Sequence, residues 1–156
     1  MQQSEDLQLA LLIFRVGNTW LALSTEFFRE VSFRKQIHHL PHRSGDILLG
    51  LVNWNGILQI CVSLKNLFAV DISSLTPVES SKTESEHMLA IENKENTWIF
   101  LTDEIEGIRY FSSKFIEGLK LVKQYECFSR VIQEEGRLIY LIDENQFFEH
   151  LKRLVI

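Results

Sequence analysis

Short apolar runs, each ended by a polar or glycine-bearing turn, follow one another along most of the chain. Leu9 to Val16 is dense enough in apolar residues for a strand buried on both faces. Gly17-Asn18 turns it, and Thr19 to Leu23 returns with Trp20 as an anchor. After Ser24-Thr25-Glu26, the stretch Phe27 to Phe33 predicts a strand with Phe27, Val31 and Phe33 on one face and Phe28 and Glu30 on the other. An apolar and an acidic residue side by side on an outer face is unusual for a simple core strand. Ile47 to Ser63 predicts a hairpin, with Gly50 interrupting its first arm and a turn at Asn53-Trp54-Asn55-Gly56. Asn and Gly tolerate positive φ, so Asn55-Gly56 between β-rich runs is the strongest short hairpin signal available. Leu64 to Val70 is expected to form a single helical turn.

From Asp71 to Glu86 serine, threonine and acidic residues dominate, too polar to repay ordering through burial. This linker is expected to separate a first lobe, about residues 17–70, from a second, about 87–156, completed by the N-terminal strand. His87 to Glu92, Thr97 to Thr102 and Glu104 to Phe111 read as strands, the last with a bulge at Gly107. Phe115 to Leu119 suits a short turn or helix, and Tyr125 to Gln133 pairs with Arg137 to Ile142 across Glu134-Glu135-Gly136. Strands this closely spaced in both halves predict a mainly β chain of two small barrels. A C-terminal helix closes it, capped by Asp143 with Gln146 in capping-box position. Phe147, Phe148, Leu151, Leu154 and Val155 make one apolar stripe, expected to dock on the chain's own barrel.

At 156 residues the chain is one domain or two small lobes sharing a core, and eleven phenylalanines suffice to fill it. The net charge of −5 argues against nucleic acid, which calls for a basic face. No apolar run spans a bilayer and the polar start MQQSEDLQ carries no secretory pattern, so no membrane insertion and a cytoplasmic location are expected. Cys61 and Cys127 lie in apolar stretches, which suits buried free thiols in a reducing compartment.

Candidate chemistry is thin. His38, His39 and His42 form one histidine cluster whose imidazoles could ligate zinc, yet they lie in a loop with Pro41 and no HExxH helix. A buried Cys61 would be a poor nucleophile, no Gly-x-Ser-x-Gly elbow occurs, and the seven glycines are scattered singly rather than set in a phosphate loop. Asp103-Glu104 and Asp143-Glu144 end apolar strands, where capping and turn formation account for them. No enzyme and no cofactor are expected.

The run Leu40 to Leu64 resembles the CheW-like domain, the coupling and scaffold module of bacterial chemosensory arrays. Its pattern of Leu-Pro, loop, apolar residues, Gly, two residues, Asn, two residues, Gly stands here as Leu40, Pro41, Leu48, Leu49, Gly50, Asn53 and Gly56. Upstream, Phe28, Glu30 and Val31 match an apolar-x-Glu-apolar element; downstream, Asp103 and Ile105 match an Asp-x-apolar motif, and GRLIYLIDENQFFEHL resembles the last strand and closing helix. The resemblance implies two five-stranded SH3-like barrels on a shared apolar core and a non-catalytic adaptor. The partners it implies are a histidine kinase of the CheA type, through its regulatory domain, and a chemoreceptor cytoplasmic tip, docked in the groove between the barrels. It also implies partner contact at Phe28, Glu30 and Ile105, with Gly50, Asn53 and Gly56 keeping the hairpin that shapes the surface; Trp54 and Asn55, at its tip, are candidate partner contacts by position.

The hairpin departs from the family's Asn-Leu-Arg-Gly, becoming Asn53-Trp54-Asn55-Gly56, so the tip arginine is absent. A downstream proline and aspartate are also replaced, in the stretch Ile60, Cys61, Val62, Ser63, Leu64. The expectation is a divergent adaptor of a specialised pathway, such as one controlling pili or surface behaviour, with Trp54 as an exposed aromatic anchor. Its rivals are a metal protein or enzyme using His38, His39 and His42, and an SH3-like binding module outside chemosensing.

Overall fold

The computed structural model describes residues 6–40, 47–69, 86–94 and 96–155. Pro41, His42 and the polar stretch 71–85 lie outside the described residues, as do the side chains of Leu154 and Val155. The described residues form eleven strands and three helices. β1 (Gln8–Val16), β2 (Thr19–Ser24), β3 (Phe28–Phe33), β4 (Leu48–Trp54) and β5 (Ile57–Val62) precede α1 (Leu64–Ala69). β6 (His87–Glu92), β7 (Thr97–Thr102) and β8 (Glu104–Ser112) follow, then α2 (Ser113–Glu117), β9 (Lys120–Leu121), β10 (Phe128–Glu134), β11 (Arg137–Ile142) and α3 (Glu144–Val155).

The strands make two sheets, one of six in the order β8-β1-β2-β11-β10-β9 and one of five in the order β3-β6-β7-β5-β4. This is the expected pair of SH3-like lobes; the sixth strand of the first is the two-residue β9. Each sheet contains one parallel pair, β2 with β11 and β5 with β7, and is otherwise antiparallel.

The strands do not divide at the polar stretch. β2 was expected in the first lobe but lies in the six-stranded sheet; β6 and β7 were expected in the second but lie in the five-stranded sheet. The chain changes sheet between β2 and β3 and again at Asp103, the single residue between β7 and β8. That second crossing is pinned: the Asp103 backbone N–H donates to the Arg15 carbonyl at 2.9 Å, and the Gly17 N–H donates to the Asp103 carboxylate. Tight turns are visible locally in sequence, whereas a parallel partner is remote and leaves no local mark.

The largest apolar cluster draws on both sheets, joining Leu12, Phe14, Leu21 and Leu23 to Leu89, Ile91, Trp98 and Phe100. α3 docks here as its stripe predicts. Phe147, Phe148 and Leu151 are buried, with Phe147 at 5.5 Å from Phe100 and Phe148 at 5.3 Å from Phe27 between ring centroids. The Gln146 N–H donates to Asp143 Oδ1 at 3.3 Å, supplying the expected cap. Smaller clusters fill each lobe, Ile13, Ala22 and Ile139 in one and Val52, Trp54, Cys61 and Ile99 in the other.

Candidate partner-binding hairpin

The β4–β5 turn forms as its residues dictate. Asn55 and Gly56 have φ of 54° and 89°, both in the left-handed region a two-residue hairpin of this type needs. Asn53 Oδ1 accepts from the Gly56 N–H at 2.9 Å, fastening the turn from its first corner.

Trp54 is not an exposed anchor. Only 6% of it is accessible, and its ring packs in the five-stranded lobe with Val52, Cys61 and Ile99. Side chains alternate across a strand, so a buried Val52 carries Trp54 inward with it while Asn53 faces out. The indole N–H reaches the lobe's mouth and donates to Glu30 Oε1 at 2.6 Å. Asn55 Nδ2 donates to the same oxygen at 2.9 Å. Two neutral donors therefore hold the carboxylate where a guanidinium at the Asn55 position could have held it with charge as well. The Lys35 ammonium lies 5.4 Å from the centroid of the Trp54 ring, a cation–π distance.

Glu30 reaches this mouth because β3 is bulged. Phe28 stands opposite Ile91 and Glu30 opposite Ala90, with Arg29 as the extra residue. Phe28 and Glu30 were expected on a common face; the bulge puts them on opposite ones. Phe28 joins Val31 and Phe33 on the side of Leu89 and Ile91 and packs, half-buried, against the shared core. Ile105 is likewise half-buried against that core, on β8 in the other lobe. The structure thus brings Glu30, Asn53, Trp54, Asn55 and Gly56 together, and leaves Phe28 and Ile105 apart from them.

Gly50 serves a close backbone approach. His38 and Leu51 exchange both backbone hydrogen bonds, at 2.8 and 2.9 Å, and a Cβ on Gly50 would collide with the His38 carbonyl. His39 Nδ1 sits 3.0 Å from the Leu49 carbonyl, the distance of a donated hydrogen bond. The loop histidines that are described thus stitch the segment before β4 onto that strand. Among the described residues no three His, Cys, Asp or Glu side chains gather as a metal cage.

Three residues at the mouth escaped the sequence reading. Ile57 and Leu58, directly after the turn, are 62% and 59% exposed. Two consecutive apolar residues after a tight turn are the one signal that could have marked them, since alternation must turn one of them outward. Lys35 gave no such signal.

A second feature is a groove of about 650 Å³ along the passage from β2 to β3, with walls from Ala10, Leu11, Ala22, Phe27 and Leu141. Glu144 at the start of α3 lines it, and burial, together with the Asp143 and Glu26 charges, pushes its carboxyl up to about 7. Elsewhere, Glu134 is held below the usual carboxylate range by its hydrogen bond from Arg109, helped by Arg137. Burial pushes the Cys61 thiol up to about 12, a value that leaves it protonated and unreactive.

A model of the CheW-like domain matches residues 10–152, so the chain belongs to the CheW-like domain family. Among solved structures it is similar to the scaffolding protein TtCheW of Thermoanaerobacter tengcongensis, at 13% identity and a TM-score of 0.69. That match covers 88% of this chain and 90% of TtCheW, which identifies the fold as theirs in common. No curated protein matches the sequence. Among the described residues no helix is long and apolar enough to cross a membrane.

Proposed function

We propose that this chain is a non-catalytic adaptor of a bacterial chemosensory system, coupling a receptor tip to the regulatory domain of a CheA-type histidine kinase in the cytoplasm. The observation that carries the reading is the mouth of the five-stranded lobe. There an exposed turn, an oriented carboxylate and the exposed Ile57 and Leu58 form a mixed apolar and polar surface on a rigid hairpin. Such a surface suits a partner held in fixed geometry, with an apolar centre and polar rim. Family membership supplies the partner class.

In this reading Glu30, Asn53 and Asn55 meet the kinase domain directly. Trp54, Gly50 and Gly56 act through them, by fixing the carboxylate, the strand approach and the turn. Phe28 and Ile105 are supports for the shared core that sets the angle between the lobes. The groove beside Phe27 is the candidate seat for the receptor tip, with apolar walls and the Glu144 carboxyl at its edge. Coupling follows from holding both partners at once, so that a shift at one face biases the other.

A pull-down from the native cytoplasm tests this, with the parent chain and an Ile57→Asp/Leu58→Asp variant as baits. Recovery of a CheA-type kinase and a chemoreceptor by the parent, with the kinase lost from the variant, is the expected result. Recovery of neither by the parent contradicts the adaptor reading.

A further inference from the structure

We propose that the mouth of the five-stranded lobe is built to receive a cationic side chain of the partner, an arginine, with Glu30 as the residue that reads it. The inference rests on the adaptor reading above and names the chemistry its kinase partner must bring to the hairpin.

Three observations converge on it. First, Glu30 is oriented but, among the described residues, not neutralised. Its Oε1 accepts from Trp54 Nε1 and Asn55 Nδ2, and both donors are uncharged. No Lys or Arg among the described residues forms an ion pair with it, and its Oε2 takes no hydrogen bond from them. By contrast, Glu104 pairs with Arg15, Glu92 with Arg29, and Glu134 with Arg109 and Arg137.

Second, Lys35, a cation at this mouth, is engaged with the indole. The Lys35 ammonium sits over the Trp54 ring rather than beside the carboxylate. It covers the indole face and leaves the edge, where Glu30 lies, to the approaching partner.

Third, the surroundings fit the stem of an arginine. Ile57 is paired with Trp54 across the hairpin, so it stands on the same face as the indole that holds the carboxylate, and it is exposed. A guanidinium is planar, weakly hydrated and able to donate two parallel bonds to a carboxylate while its methylenes lie on apolar surface. A carboxylate already locked in one rotamer loses little further freedom on taking that bond. An ammonium would gain the charge but not the fork. An anionic partner would meet a like charge.

The test is calorimetric titration of the regulatory domain of the CheA-type kinase from the same organism into the full chain and two variants, at low and raised salt. Asn55→Arg supplies a guanidinium to Glu30 from within the chain and competes with the partner's. Glu30→Gln removes the charge. Each variant is expected to weaken binding at least about tenfold at low salt, as loss of a desolvated charge pair does. The salt dependence of the parent should flatten in both. Parent-like affinity and salt dependence in both variants overturns the inference and leaves the adaptor reading standing. Should Glu30→Gln fail to fold, Asn55→Arg, which leaves the carboxylate in place, decides alone. No binding by the parent overturns the inference together with the reading beneath it.

Discussion

Trp54 Nε1 donates to Glu30 Oε1 at 2.6 Å, and these two residues belong to β4 and β3, the opposite ends of the five-stranded sheet. A side-chain bond therefore joins the sheet's two edges where no backbone ladder does, and closes the lobe at its mouth. Trp54→Phe keeps most of the ring and removes the donor. Loss of a hydrogen bond to a charged, exposed group should cost roughly 1 kcal/mol in urea unfolding. Trp54→Ala, which also empties buried volume, should cost roughly 3–5 kcal/mol. A Trp54→Phe variant as stable as the parent would mean the bond does not hold the lobe shut.

Gly50→Ala should be worse than its size suggests. The added methyl meets the His38 carbonyl, which is also the acceptor for the Leu51 N–H, and Gly50 has φ of 149°, outside the range side chains favour. A loss of roughly 2 kcal/mol or more is expected. Hydrogen exchange should locate it, with protection falling at the His38 and Leu51 amides. Unchanged protection there would place the damage elsewhere.

Glu144 makes stability depend on pH near neutrality. Its folded value, about 7, lies above the ordinary 4.5, so the folded state binds the proton more tightly than the unfolded chain does. That contribution is complete below the unfolded value and is lost as pH rises from about 4.5 through about 7. Glu144→Gln should therefore stabilise the protein at pH values above this window and change little below it. Equal effects across the range would show that the carboxyl titrates normally.

Glu134 works with the opposite sign. Its folded value is lowered, first by the hydrogen bond from Arg109, so its contribution is present above the ordinary carboxylate value and fades as pH falls through the lowered one. The partners are 23% and 37% accessible, which keeps the contribution small. In acid unfolding, Glu134→Gln should shift the midpoint toward neutrality less at high salt than at low salt. A salt-independent shift would point to packing rather than charge.

Cys61 and Cys127 should both ignore a thiol reagent in the native protein, being fully buried. Both should react once denaturant is added. Rapid native labelling at Cys61 would contradict its position inside the five-stranded lobe.

The turns and the closing helix were legible because their signals are local. Asn55-Gly56 adopts the positive φ its residue types allow, Gly107 marks the offset at which Ile13 faces it and Phe14 faces Ile105, and Asp143 caps α3. The allotment of strands to sheets was not legible, because β2 with β11 and β5 with β7 pair in parallel across more than a hundred and about forty residues respectively. At the site, family pattern brought forward Glu30 and the hairpin but not their bond. A bulge at Arg29 reverses the faces of β3, and one extra residue is invisible to a reading of period two. The burial of Trp54 follows from that of Val52, which only the packed lobe reveals.

The most direct test of the central claim is hydrogen-exchange footprinting of the full chain with and without the regulatory domain of a CheA-type kinase. The account predicts new protection at Glu30 and from Asn53 to Leu58, with the six-stranded lobe little changed. A footprint confined to the six-stranded lobe, or none at all, would contradict it.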